Sequence, residues 1–374
     1  MTSVQASDAL GLLRQLAVIP APSHHEERRA TFVRDWLRAA GATHMEIDDV
    51  KNVVCQLGPA DVDRFVVFSA HTDVVFPDTD PLPLHEDAEK IYAPGVGDDT
   101  ANLCALLLAT RELIAHPEAL PRSCGVLVVA NSCEEGLGNL KGSKAIVKDY
   151  GDRLKHLVTF DGIRFERVVT RAVGSHRYRV TVTTEGGHSF GAFGNRNAIR
   201  SLASMIDALY SVKVPDKPGT KTTYNVGTIS GGTSVNTIAQ RAEMLYEYRS
   251  DDFECLEFMR KCFERVVDAW RAMGVGVEVT LVGERSCANG VDPDAHQALI
   301  AMADRSVSEI IGVEPVHASS STDANSALGV GIPAICMSAV KGQGCHTREE
   351  TLELASLVTG CRLTMDFIAS FFEI

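Results

Sequence analysis

The chain has 374 residues, 45% of them hydrophobic, and 49 acidic side chains against 36 basic ones. That length exceeds what one core usually supports, so two domains are expected. The acidic surplus sets the surface against nucleic acid and anionic membranes and points to a small substrate. Met1–Asp8 shows no basic segment followed by an apolar core, and no later run is apolar for long enough to cross a bilayer, so a cytoplasmic protein is expected. Ten cysteines without a Cys-x-x-Cys pair read as free thiols rather than as a disulfide framework or a thiolate zinc site.

Ser7 and Asp8 are placed to cap a helix carrying Leu10, Leu13 and Leu16, which Pro20 and Pro22 stop; a second helix is expected over 26–39. Val- and Ile-rich runs at 52–56, 64–70, 125–130 and 156–160, with a helix over 100–116, predict strands alternating with helices and a sheet buried on both faces. From 174 to 283 the rhythm changes to strand 177–184, helix 197–210, strands 224–229 and 242–248, helix 253–273 and strand 275–282. That βαββαβ order predicts a ferredoxin-like α+β unit, read as a lid or dimerisation domain of residues 174–283 inserted into a discontinuous domain of residues 1–173 and 284–374. A strand at 334–337 and a helix from Arg348 to Phe372 close the larger domain.

Polar clusters stand where the apolar strands end. Phe65–Ala70 runs into His71-Thr72-Asp73, Val128–Asn131 into Glu134-Glu135, and Val158–Phe160 into Asp161; Gly95-Val96-Gly97 precedes Asp98-Asp99, and Cys345-His346 comes late. The carboxyl ends of strands in α/β sheets are where ligands bind. Taken singly, each cluster also fits a plain role: Asp98-Asp99 as an N-cap and first-turn acid, Glu134-Glu135 as a solvated loop, His346 as a surface histidine. Together, imidazoles and carboxylates with no thiolate nearby form the donor set of a hydrolytic zinc, cobalt or manganese site, and the inventory suffices for two ions sharing a carboxylate. Such a pair activates water and polarises a carbonyl. A glutamate left uncoordinated beside them could take and return a proton.

The order and spacing of these motifs, from Ile19-Pro20-Ala21-Pro22-Ser23 through Glu185-Gly186-Gly187-His188-Ser189 to Cys345-His346-Thr347-Arg348-Glu349-Glu350, resembles the M20 family of dinuclear metallopeptidases, and within it the peptidase T-like tripeptidase and aminopeptidase branch. The resemblance implies a mixed-sheet α/β/α catalytic domain and two divalent ions per subunit, zinc first and cobalt or manganese as alternatives. It implies that His71, Asp98 and Asp161 hold one ion and Asp98, Glu135 and His346 the other. Asp73 would orient His71, and Glu134 would be the general base. His188 would steady an oxyanion from the lid, and Asn236 and Arg249 would bind substrate, Arg249 clamping a terminal carboxylate. A homodimer through the inserted domain is implied as well. Thr100-Ala101 after Asp99, and Ser319-Ser320-Ser321-Thr322-Asp323, depart from the family pattern where they would reshape the substrate pocket.

An exopeptidase for short peptides is the expected activity, with an N-acyl amino acid deacylase as its rival among hydrolases and a non-catalytic metal or peptide sensor as the alternative outside them. Gly136-Leu137-Gly138 and Gly95-Val96-Gly97 do not complete a dinucleotide fingerprint, and the acids beside them would repel phosphate.

Overall fold

The computed structural model describes residues 5–59, 61–121 and 123–371, and the chain divides into two compact units, Met1–Ala172 with Asn289–Ile374, and Val173–Ala288. In chain order the strands used below are β1 (Met45–Ile47), β2 (Val53–Leu57), β3 (Phe65–His71), β4 (Gly125–Asn131), β5 (Leu154–Phe160), β6 (Arg167–Ala172), β7 (Gly174–Thr183), β8 (Thr222–Gly231), β9 (Arg241–Ser250), β10 (Gly276–Arg285), β11 (Val316–Ser320) and β12 (Ala334–Met337). The helices are α1 (Ala6–Ala17), α2 (Glu27–Ala39), α3 (Asn102–Ala115), α4 (Lys141–Tyr150), α5 (Ala198–Tyr210), α6 (Phe253–Ala272), α7 (Pro293–Ser306), α8 (Ala324–Leu328) and α9 (Leu354–Ser370).

The larger unit is built on a mixed eight-stranded sheet in the order β1-β2-β4-β3-β5-β12-β6-β11. Its centre, β4-β3-β5-β12, is parallel, and β1, β2 and β6 join it antiparallel to their inner neighbours. Every residue of β3 and β4 is buried. Alternate side chains therefore serve different layers: Val66, Phe68 and Ala70 pack with Leu13 and Leu16 of α1, Leu103 and Leu106 of α3 and Phe367 of α9. Phe65, Val67, Leu127 and Val129 face Ile146 of α4 and Leu328 of α8. This is the two-residue period of a strand with an apolar layer on each side. Each Val, Leu, Ile or Phe among them stabilises the fold by roughly 1.5–3 kcal/mol relative to exposure.

The smaller unit has a four-stranded antiparallel sheet in the order β8-β9-β7-β10 and the chain order β7-α5-β8-β9-α6-β10, the ferredoxin-like arrangement. One sheet face is apolar: Val180, Val182, Met244, Tyr246 and Tyr248 pack with Leu202 and Met205 of α5 and with Met259 and Phe263 of α6. Asn197 and Asp252 cap those helices by accepting from their first backbone amides.

Several local expectations shift. Helix α1 starts at Ala6 without a side-chain cap, so Ser7 and Asp8 lie in its first turn rather than before it. The closing helix begins at Leu354, because Thr351–Glu353 instead pairs antiparallel with Lys90–Tyr92; Phe372 lies outside the described residues. Strands β1, β6 and β11 and helices α4, α7 and α8 are additional to the sequence reading; β6 and β11 carry Arg167, Arg171, His317 and Ser319, which break the apolar signature. All ten cysteines are free thiols, and among the described residues no helix is long and apolar enough to cross a membrane.

Candidate metal centre

Because β3, β4 and β5 run parallel, their carboxyl ends open on one side of the sheet: His71 closes β3, Asn131 closes β4 with Glu134 and Glu135 three and four residues on, and Asp161 follows β5 directly. His71 is fully buried. Its backbone N–H donates to Asp99 Oδ2 at 2.8 Å, and its Nδ1 lies 3.0 Å from the carbonyl oxygen of Asp73. With Nδ1 as donor, a bound cation would take the Nε2 lone pair in place of a proton; Nε2 points at Asp98 Oδ1, 3.1 Å away.

The Asp73 carboxylate has a second task besides facing His71. Its Oδ1 accepts from the Glu134 amide at 2.9 Å, and its Oδ2 accepts from the Glu135 amide at 3.0 Å and from Ser23 Oγ at 2.6 Å. Asp73 thereby fixes the loop that presents both glutamates. Replacing it by Asn turns one acceptor into an NH₂ group facing an amide N–H, and metal affinity is expected to fall by roughly 10–100-fold. Competition against a chromophoric chelator measures this; unaltered affinity would show the carboxylate to be dispensable.

Asp98 is delivered by an irregular turn, Val96–Ala101, ahead of α3, with the Asp98–Asp99 peptide bond cis. Buried Glu350 holds that turn, accepting from the amides of Gly95 (3.2 Å), Gly97 (2.8 Å) and Asp98 (2.8 Å). Gly95 has φ +70°, which favours glycine, and a Cβ on Gly97 would run into Ile163 Cγ2 and press on Glu350 Oε1, so a side chain at either position would disturb the turn. Asn102 ties the turn to neighbouring loops, donating to Asp99 Oδ1 and Gly162 O and accepting from the Ala339 amide. Asp98 then stands between two imidazoles, with Oδ1 facing His71 Nε2 and Oδ2 facing His346 Nε2, each at 3.1 Å. His346 Nε2 is also 3.2 Å from Glu135 Oε1.

Donor atoms of His71, Asp98, Asp99 and Asp161 form one group lying within 4.8 Å of one another; His71, Glu134 and Glu135 form a second, and Asp98, Cys345 and His346 a third. All five residues expected to hold ions therefore converge. So does a sulfur, which corrects the expectation of a centre without a thiol. Cys345 Sγ donates to Asp98 Oδ2 at 2.6 Å, and the residue is only part-buried. The β12–α9 connection folds back onto the Val96–Ala101 turn, a placement that the sequence position of Cys345 alone does not reveal.

The acids strain against one another. Burial, then the charge of Asp98, pushes Asp161 up to about 7. Burial raises Asp99 well above its ordinary value, and Asp161 and Asp98 add to that. Burial also raises Glu135, partly offset by His346. For Asp98 burial acts upward too, but hydrogen bonds from His346 and His71 outweigh it and hold its carboxyl well below the usual range. His346 is raised far above its usual value by Asp98 first, then by Cys345 and Glu135. Arg29 is a nearby cation that the sequence reading overlooked. It is buried, bonded to the carbonyls of Ile19 and Thr72 and to Thr100 Oγ1, and pulled down to about 10 by burial against the attraction of Asp73 and Asp99. One guanidinium behind Asp73 and Asp99 does not satisfy the front of the cluster. Glu135 Oε1 is buried without a well-formed hydrogen bond, although His346 Nε2 is 3.2 Å away. Oxygen and nitrogen donors with an orphaned buried acceptor among mutually repelling carboxylates fit divalent cations.

In the smaller unit, His188 and Asn236 are neighbours: Gly187–His188 pairs with Thr237–Ile238, and the Ser189 amide donates to Asn236 O at 2.9 Å. His188 Nδ1 accepts from the amides of Phe190 and Gly191, which leaves the proton of the neutral ring on Nε2. Arg249 makes a two-point pair with Glu247, at 3.0 and 3.1 Å. The departures at Thr100-Ala101 are fully buried, with Thr100 Oγ1 bonded to Gly95 O, so they pack the turn rather than line a pocket. Asp323 is likewise buried and accepts from Asn131 at the end of β4.

Comparison with known proteins gives a consistent result. The profile of "Peptidase family M20/M25/M40" matches residues 67–370. A peptidase M20 domain-containing protein of Schizosaccharomyces pombe is 24% identical over 242 residues, covering 63% of this chain and 58% of its own length. A probable carboxypeptidase of Aspergillus clavatus is 26% identical over 270 residues, covering 66% and 63%. The match thus spans less than two thirds of these relatives. Among solved structures, aminopeptidase PepT of Bacillus cereus superposes with a TM-score of 0.76 at 21% identity, covering 98% of this chain and 99% of that one. A Staphylococcus aureus tripeptidase gives 0.75 at 20%, covering 99% and 100%. An M20 family metallo-carboxypeptidase of Sulfolobus solfataricus gives 0.75 at 14%, covering 98% and 100%. At these identities the structural likenesses establish the fold.

Proposed function

The chain belongs to peptidase family M20/M25/M40, and from that premise we propose that it is a two-metal exopeptidase cleaving an amide bond in short peptides. The observation that carries the reading is the Asp98 carboxylate, whose two oxygens face two different imidazoles inside a ring of acids. His71, Asp98 and Asp161 would hold one ion and Asp98, Glu135 and His346 the other, with zinc the proposed metal. Bound there, the ions would supply activation of water and polarisation of the scissile carbonyl.

The chain's own residues do the rest. Glu134, placed by the bond from its amide to Asp73, takes the proton of the attacking water and returns it to the leaving amine. His188, with its Nε2 proton free to donate, is the proposed partner of the developing oxyanion. Arg249 would exchange Glu247 for a substrate carboxylate, and Asn236 would bind the peptide backbone. A homodimer through the smaller unit is part of the same reading.

The names of the relatives divide between amino-terminal and carboxy-terminal cleavage, and deacylation of N-acyl amino acids is the alternative that uses the same centre. Incubating the zinc-reconstituted protein with unblocked di- and tripeptides and with N-acetyl amino acids separates them by product analysis. Release of a free residue from unblocked peptides is expected; turnover of acetylated amino acids alone would replace peptidase by deacylase.

A further inference from the structure

We propose that Cys345 is a direct thiolate ligand of the ion held by Asp98, Glu135 and His346, so that the two positions of the centre differ in kind, one with nitrogen and oxygen donors only and one with sulfur added. The inference rests on the two-metal reading above.

Donor atoms of Cys345, Asp98 and His346 lie within 4.8 Å of one another, and Glu135 adjoins them through His346. Cys345 Sγ is 2.6 Å from Asp98 Oδ2, Asp98 Oδ2 is 3.1 Å from His346 Nε2, and His346 Nε2 is 3.2 Å from Glu135 Oε1. In a four-coordinate zinc site with bonds of about 2.0–2.3 Å, neighbouring donors lie about 3.3–3.7 Å apart. The Cys345–Asp98–His346 contacts are therefore those of a collapsed site, in which the sulfur must withdraw from Asp98 Oδ2 by about 1 Å and His346 by a few tenths to admit an ion. Independently of the cysteine, the buried Glu135 Oε1 faces His346 Nε2 at 3.2 Å without a well-formed hydrogen bond, leaving an acceptor beside this group for a cation. The backbone contributes as well. His346 has φ +64°, a left-handed conformation at a non-glycine residue, and consecutive residues Cys345 and His346 thereby turn both side chains to the same carboxylate.

Coordination breaks the S–H bond, sends the proton to solvent and gives the sulfur electron pair to the ion. A thiolate favours zinc or cobalt over manganese or magnesium, so the Cys345 position would select the softer metal while the Asp161 position stays permissive.

Cobalt titration of the full-length protein tests this spectroscopically. With two equivalents bound, the parent is expected to show a thiolate-to-cobalt charge-transfer band in the near ultraviolet. Cys345→Ser and Cys345→Ala should lose the band, whereas Cys133→Ala, altered at another thiol beside the glutamates, should keep it. A second measurement needs no variant: iodoacetamide should label Cys345 in the metal-free parent, and two equivalents of zinc should suppress that labelling by at least tenfold. Two bound cobalt ions without the band, a band surviving in both Cys345 variants, or labelling indifferent to zinc would each overturn the assignment while leaving the metal centre standing. A parent that binds no cobalt would overturn the two-metal reading with it.

Discussion

Glu134→Gln is expected to leave metal content unchanged and to cut turnover of a cleavable peptide by roughly 10²–10⁴-fold, the range a positioned general acid–base contributes. The amide keeps the size and polarity of the side chain, and the bond from the residue's own N–H to Asp73 Oδ1 is untouched, so the loop should hold its place. The group that exchanges the proton is removed. The geometry makes the metal measurement decisive, because Glu134 shares a donor group with His71 and Glu135 and is near enough to bind an ion itself. A fall in metal content would make Glu134 a ligand; a rate within a few-fold of the parent, with both ions present, would remove it from the chemistry.

Asp98→Asn should be still more damaging, because one substitution touches both positions. An asparagine offers one oxygen where the carboxylate offers two, turns an NH₂ toward either His71 or His346, and removes a negative charge. Metal content is expected to fall below one ion per chain. Activity should drop by at least ~10³-fold, since the Lewis-acid contribution is several kcal/mol and each 1.36 kcal/mol is a factor of ten. Elemental analysis after dialysis, together with kcat/KM, checks both halves. Retention of two ions would disprove the sharing of Asp98.

The site was unevenly legible before folding. His71, Glu134-Glu135 and Asp161 could be found because each follows an apolar run that reads as a buried strand, and parallel strands must bring such ends together. Glu350 left no comparable signal: its work is to accept three amide protons from a turn some 250 residues earlier. Arg29, within the expected helix 26–39, drew no notice of its own, yet it is buried and bonded to Thr100 Oγ1 of the turn. Asp73 was expected to serve His71, and nothing in its spacing announced its bonds to the amides of Glu134 and Glu135.

Hydrophobic period and motif order by themselves determined the α/β class, the ferredoxin-like βαββαβ order and the list of polar side chains available at strand ends, because these depend on neighbours within a few residues. Tertiary structure decided which oxygen faces which nitrogen, which carboxylates are forced into mutual repulsion, and that a thiol joins them at Asp98. Those are properties of atoms brought within about 3 Å across hundreds of residues, where Coulomb energies and hydrogen-bond angles change steeply with small displacements that no local pattern encodes.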